Sequence, residues 1–378
     1  MQLNKPGIYI HIPFCRHKCN YCDFYLITNL NIIDRFLDNL KKEIVISSKF
    51  YDGSEFDSIF IGGGTPSILS GKQICNILDV IYNNFRISEK SEVTIEANPE
   101  DFINNYQRLS EVEEAGINRI SFGVQSFNDT ELKFLSREHN SHQAVEVIEE
   151  AKKHFENISI DLIYSLPEQK VESLINSIET AVNLGIPHIS AYTLIYEKET
   201  PIYNSMKRNI ISKNEDKYES ELYSIFSDKL LQSGYCHYEV SNFALSGFKS
   251  RHNLKYWEYA NYIGFGPSAH SFWNGKRWNN FRNIIKYNIN LQKDLIPSEN
   301  EYRLSSDEMK TEFIMLGLRS KGINLENYKK IFGSSFKDEF SSQINEIRER
   351  GHGEIGTEYF SLSEKGYLLA DEICARYF

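Results

Sequence analysis

Three cysteines fall within eight residues of this 378-residue chain: Cys15-Arg16-His17-Lys18-Cys19-Asn20-Tyr21-Cys22, a CxxxCxxC spacing. Thiolates are the usual ligands of iron–sulfur clusters and normally come in fours. Three from a single loop imply a four-iron cube with one iron left open to a further ligand. A zinc knuckle is the rival reading, but no fourth ligand stands at zinc spacing nearby; His11 lies in a strand and His17 within the loop. The remaining cysteines, Cys75, Cys236 and Cys374, are scattered. Cys75 and Cys374 read as buried thiols in helices. Disulfides are rare in the cytosol, where a short triplet points to metal instead.

A loop of this kind needs a rigid frame. Apolar runs at 7–12, 56–61, 92–97, 119–123, 158–162 and 188–194 read as six strands, and helical periodicity at 31–48, 71–85, 104–115, 141–154 and 171–184 separates them. Strands and helices alternating at this spacing predict βαβ units and a parallel sheet. Several strands end in glycine or a polar group, at Gly63, Glu96, Gln125 and Asp161. Sites in α/β barrels are built at such strand ends. Six units rather than eight predict an incomplete, open (β/α)6 barrel over residues 1–235. A linking region, 236–300, and a smaller domain, 301–378, follow. In the latter, helices, a strand pair at 353–362 turning at Gly356 and a closing helix at 363–377 predict a winged-helix-like unit.

Bulk composition narrows the function. Net charge is 42 − 52 = −10, which argues against a nucleic-acid-binding surface. No stretch is apolar enough to span a membrane, and the start lacks a signal-peptide pattern, so the expected location is cytoplasmic.

CxxxCxxC after the first strand, followed by Gly62-Gly63-Gly64-Thr65-Pro66, resembles the signature of the radical S-adenosylmethionine superfamily. Within it, Tyr9 to Cys15, Tyr21-Cys22-Asp23-Phe24, Glu96 to Glu100, Phe122 to Ser126 and Asp161 to Tyr164 resemble the coproporphyrinogen oxidase-like subgroup over nearly the whole chain. The resemblance implies a [4Fe–4S] cluster on Cys15, Cys19 and Cys22, with S-adenosylmethionine on the open iron. It implies that Gly63, Gly64 and Thr65 meet the cofactor's ammonium and Arg137 its carboxylate. Glu96, Gln125 and Asp161 supply the remaining polar contacts. Tyr21 is placed to stack near the adenine, and Tyr9 to point from the first strand toward the cluster. An electron donor for the cluster is implied as a partner.

Two features split the subgroup. The oxidase carries a further cysteine two residues after the third ligand, where this chain has Phe24. The chain also has His252-Asn253-Leu254-Lys255-Tyr256-Trp257, which resembles the HNxxYW marker of the subgroup's heme-chaperone branch. That branch implies heme as a ligand and an acceptor protein to receive it. His252, read as part of a loop, is the first candidate for the iron's axial ligand, with His237 and His270 as competitors. The runner-up is oxidative decarboxylation of coproporphyrinogen III. Radical methyl transfer ranks lower, since no extra cysteine is placed for it.

Overall fold

The computed structural model describes residues 4–51 and 53–378. Six parallel strands form its centre: β1 (Gly7–Ile12), β2 (Glu55–Gly63), β3 (Arg86–Ala97), β4 (Arg119–Gln125), β5 (Asn157–Tyr164) and β6 (His188–Thr193). Alternation along each strand sends one set of side chains outward and one inward. The outward set is aliphatic or aromatic: Ile8, Ile10, Ile59, Ile61, Ile95, Phe122 and Ile160 belong to the main core. Helices Ile33–Ser48, Gly71–Asn84, Gln107–Glu114, Ser141–Ala151, Val171–Asn183 and Asp216–Gln232 cover that face. Two of them start at capping boxes, Ser70 with Gln73 and Asn140 with Gln143. Burying each aliphatic or aromatic side chain of the outward set is worth about 1.5–3 kcal/mol and holds the frame.

The inward set differs. Tyr9, His11, Ser58, Thr94, Glu96, Arg119, Ser121, Asp161 and His188 alternate with the core residues along the strands, so the barrel has a polar interior. The sheet does not close on itself. Past β6 it continues through β7 (Cys236–Glu239) and β8 (Asn242–Ala244), with β8 antiparallel to β6. Past β1 it continues through β9 (Tyr262–Phe265), parallel to β1, and then antiparallel β10 (His270–Trp273), β11 (Lys276–Asn280) and β12 (Ser298–Arg303). The stretch expected to link two domains therefore extends both edges of one twelve-stranded sheet. The incomplete six-unit barrel is as expected.

The C-terminal unit has its own core of Phe313, Ile314, Leu318, Tyr328, Phe336, Ile344 and Phe360. Its three-stranded wing consists of β13 (Ile323–Asn324), β14 (Gly353–Ile355) and β15 (Tyr359–Leu362). The closing helix is broken into Glu364–Tyr367 and Ala370–Tyr377. His237 and Glu364 (3.0 Å) and Arg277 and Glu312 (2.8 Å) tie this unit to the sheet.

Two expectations need correction. Residues 251–257 are not a loop but a helix, Arg251–Trp257, with Ser250 as N-cap. Its amide N–H groups at 251 and 252 donate to the Glu92 carboxylate, 3.1 Å each, a charge that suits a helix N-terminus. Cys75 is half-buried rather than buried. Cys374 is buried, as expected.

Candidate functional site

The strand ends of the barrel open into a cavity of about 470 Å³. The cysteine loop forms one wall. It is stitched to the frame by backbone bonds: Thr65 N–H to Phe14 C=O (2.7 Å), Gly64 N–H to Ile12 C=O (2.8 Å) and Cys15 N–H to Ile27 C=O (3.1 Å). Gly64 is required for this approach, because a Cβ there would lie 2.6 Å from the Phe14 carbonyl oxygen. Gly63 adopts φ +114°, a region that favours glycine, and a Cβ there would strike the His11 ring.

Cys15, Cys19 and Cys22 all line this cavity. The Thr65 hydroxyl donates to Cys15 Sγ (3.2 Å), and Arg137 Nη1 lies 3.7 Å from Cys19 Sγ. Burial pushes the Cys15 thiol up to about 11. A thiol so placed ionises on binding a cationic metal, which releases the proton.

On the barrel side, Tyr21, Gly63, Gly64, Thr65, Glu96, Gln125, Arg137 and Asp161 line the same space. Glu96 accepts from the Gly63 N–H (2.9 Å), and Asp161 accepts from the Ser121 hydroxyl (3.4 Å). Burial raises the Glu96 carboxyl to about 8, with Asp161 adding to the effect; burial raises Asp161 as well. Among the described residues neither has a cationic partner at salt-bridge distance. Gln125 sits at φ +68°, where β4 slips register against β5. For a residue other than glycine that is strained backbone at a strand end. Arg137 Nη2 is held by Asn98 Oδ1 (2.6 Å), the Gly123 carbonyl (2.9 Å) and Glu100 (3.3 Å). Among the described residues its Nε is buried with no partner.

The donor set has a clear chemical sense. Three thiols on one wall suit a polynuclear iron group. Two buried acids with no cation at pairing distance, facing a guanidinium with a free N–H, suit a ligand bearing positive charge and a carboxylate. S-adenosylmethionine has both, and the glycine-lined wall leaves room for it.

Two expected site residues lie elsewhere. Tyr9 does not line the cavity; its hydroxyl meets His11 Nδ1 (3.0 Å) and its ring packs between Phe60 and His252. The strand's alternation puts Tyr9 inside the barrel, one position-pair deeper than the mouth. His252 is 1% exposed. Its Nδ1 meets the Ser58 hydroxyl and its Nε2 the Tyr256 hydroxyl, 2.9 Å each, so both ring nitrogens are engaged. Burial lowers it to about 3, so the ring is neutral. The helix carrying the HNxxYW marker plugs the base of the barrel. Of the two competitors, His237 is stacked on Phe243 and bonded to Glu364, whereas His270 is exposed.

The sequence reading missed Asn98, which also donates to Thr65 Oγ1 (3.2 Å), and Ser121. Asn98 follows Glu96 by two, which on an extended strand end is the same side, and that spacing was available as a signal. Ser121 carries no signal of its own.

A match to the Radical SAM superfamily covers residues 9–198, and one to the HemN C-terminal domain covers residues 304–369. The fold is similar to that of coproporphyrinogen III oxidase (HemN) from Escherichia coli, with a TM-score of 0.84 at 22% identity over 98% of this chain and 89% of that one. The chain belongs to the radical SAM superfamily. The chain is 36% identical to the heme chaperone HemW of Bacillus subtilis (strain 168) over 97% of both chains. It is 35% identical to that of Lactococcus lactis subsp. lactis (strain IL1403), over 99% of this chain and 98% of the relative. Within the superfamily it belongs to the HemW family.

Proposed function

We propose that this protein is a heme chaperone: it carries a [4Fe–4S] cluster on Cys15, Cys19 and Cys22, binds S-adenosylmethionine beside it, and holds heme for transfer to an acceptor protein. The observation that carries the heme part is the full-length similarity to HemW proteins. The cavity supports the cofactor part, because it gathers eleven of the residues expected to serve it. Bound there, cluster and cofactor together supply one-electron chemistry. Arg137 holds the cofactor's carboxylate, Gly63, Gly64 and Thr65 lie beside its ammonium, Glu96, Gln125 and Asp161 take its other polar groups, and Tyr21 packs near its adenine. An electron donor serves the cluster, and the compartment is the cytoplasm.

Phe24 favours the chaperone over the oxidase. It stands at the cavity lip, 67% exposed, where the oxidase resemblance calls for a cysteine. His270 replaces His252 as the first candidate for the heme ligand, since its imidazole is accessible.

Anaerobic protein with a full cluster, titrated with heme and separately with coproporphyrinogen III, tests the reading. Saturable heme binding without formation of protoporphyrinogen IX is expected; multiple turnovers would move the function to the oxidase. His270→Ala should alter the Soret band and weaken heme binding, while His252→Ala should leave the band unchanged. An unaltered His270→Ala titration removes His270 from the site.

A further inference from the structure

Arg119 opens β4 and is 2% exposed, among the largest fully enclosed side chains of the protein. Among the described residues no carboxylate lies at ion-pair distance from it, and its Nε has no hydrogen-bond partner. Alternation puts Arg119 on the same face of β4 as Ser121 and Gly123, both of which line the cavity. It therefore points into the barrel beneath the cavity. In register on the flanking strands stand Thr94 of β3 and Asn157 of β5. Thr94 Oγ1 and Asn157 Oδ1 are likewise buried without partners. A guanidinium keeps its proton even when buried, so Arg119 is a fixed positive charge in a medium of low dielectric.

We infer that Arg119 is a buried counter-charge that keeps Glu96 and Asp161 able to ionise, and so sets the pH range over which the protein accepts the positive groups of S-adenosylmethionine. The inference rests on the reading of Glu96 and Asp161 as cofactor contacts. Burial pushes both carboxyls up, Asp161 adds repulsion at Glu96, and Arg119 opposes the shift at both.

The other groups around these acids do not take its place. Arg137 acts on Asp161 from the cavity side but is ion-paired with Glu100. Lys255, at the barrel base, is paired with Asp57. Glu92 is committed to the N-terminus of helix Arg251–Trp257. Burial and the field of Arg119 hold His188 and His252 neutral, each bonded to hydroxyls through both ring nitrogens. Tyr9, Tyr192, Tyr238 and Tyr256 are raised by burial and stay protonated. Glu239 is bonded to Ser241 and Asn242.

A protonated Glu96 cannot pair with a cation, so affinity rises with pH until the carboxyl ionises. Without Arg119 ionisation needs a higher pH. Arg119 is thus a positioning residue, acting through the two acids.

The test is a titration of cluster-reconstituted protein with S-adenosylmethionine from about pH 6 to 9, read by calorimetry and by the electron paramagnetic resonance of the reduced cluster. Arg119→Met should bind about tenfold more weakly at neutral pH, with the pH midpoint moved upward. Arg119→Lys should restore the wild-type midpoint. Glu96→Gln, which needs no charge change at β4, should flatten the profile. A Met variant with the wild-type curve, or with a loss equal at every pH, overturns the inference, as does an unchanged pH dependence in Glu96→Gln. Wild-type protein that binds no S-adenosylmethionine at any pH overturns the cofactor reading itself.

Discussion

Arg137 stands with one end against Cys19 and the other against Glu100, Asn98 and the Gly123 carbonyl. A side chain so fully held orients a ligand without first losing rotamer freedom. Arg137→Ala removes a charge-assisted bond, so S-adenosylmethionine should bind about 10- to 150-fold more weakly, about 1.5–3 kcal/mol, by calorimetry on cluster-loaded protein. Binding within a factor of two of wild type would show that this guanidinium does not touch the ligand. The thiols allow a sharper test. Cys19→Ala should lose the cluster's visible absorbance and iron content after reconstitution, while Cys75→Ala, Cys236→Ala and Cys374→Ala keep both; full occupancy in Cys19→Ala would remove it from the ligand set. At this scale the sequence was legible wherever residue type and strand-end position coincide, as at Gly63, Glu96 and Asp161. It misled at Tyr9 and His252. Both have chemistry suited to a site, but alternation along β1 and two buried hydroxyls decide where their side chains go.

The short helix Arg251–Trp257 shows why an element can escape sequence reading. Seven residues give barely two turns, too few for a helical period to stand out. The cap at Ser250 and the charge of Glu92 hold it from outside its own sequence. The six βα units were legible because each carries a strand-length apolar run and a helix long enough to show its period. His252→Ala would leave the Ser58 and Tyr256 hydroxyls buried and unpaired. A loss of about 1–3 kcal/mol in urea unfolding is expected, with S-adenosylmethionine affinity in the folded protein unchanged. Wild-type stability combined with a lost heme Soret band would return this histidine to the heme site.

Across the whole molecule, four buried carboxyls share a pattern, Asp161 among them. Burial raises Glu43 to about 7, Glu96 to about 8 and Glu239 to about 7. In the unfolded chain each ionises near its ordinary value, so above that pH the native state holds protons that the unfolded state has released. Stability therefore falls as pH rises through the native values. Burial lowers His11 to about 4 and His252 to about 3, which costs stability only below the ordinary histidine range. The carboxyls thus govern the window from about pH 7 to 8. The urea midpoint of cluster-free, ligand-free protein should drop across it, and Glu43→Gln should reduce the drop. A flat or rising profile would mean that these carboxyls ionise freely in the folded state.

The sheet order has a consequence for how the protein is made. β1, whose end leads into the cysteine loop, pairs on one side with β2 and on the other with β9, Gly7 opposite Tyr262. The second partner lies about 250 residues further along the chain. At about 5–20 residues per second, a ribosome needs on the order of 10–50 s to deliver it. During that interval the first strand has one open flank, and the loop bearing Cys15, Cys19 and Cys22 lacks the neighbour that Gly266 later presses against His11. The frame behind the cysteine loop is therefore completed late in synthesis, although the loop itself is among the first segments made.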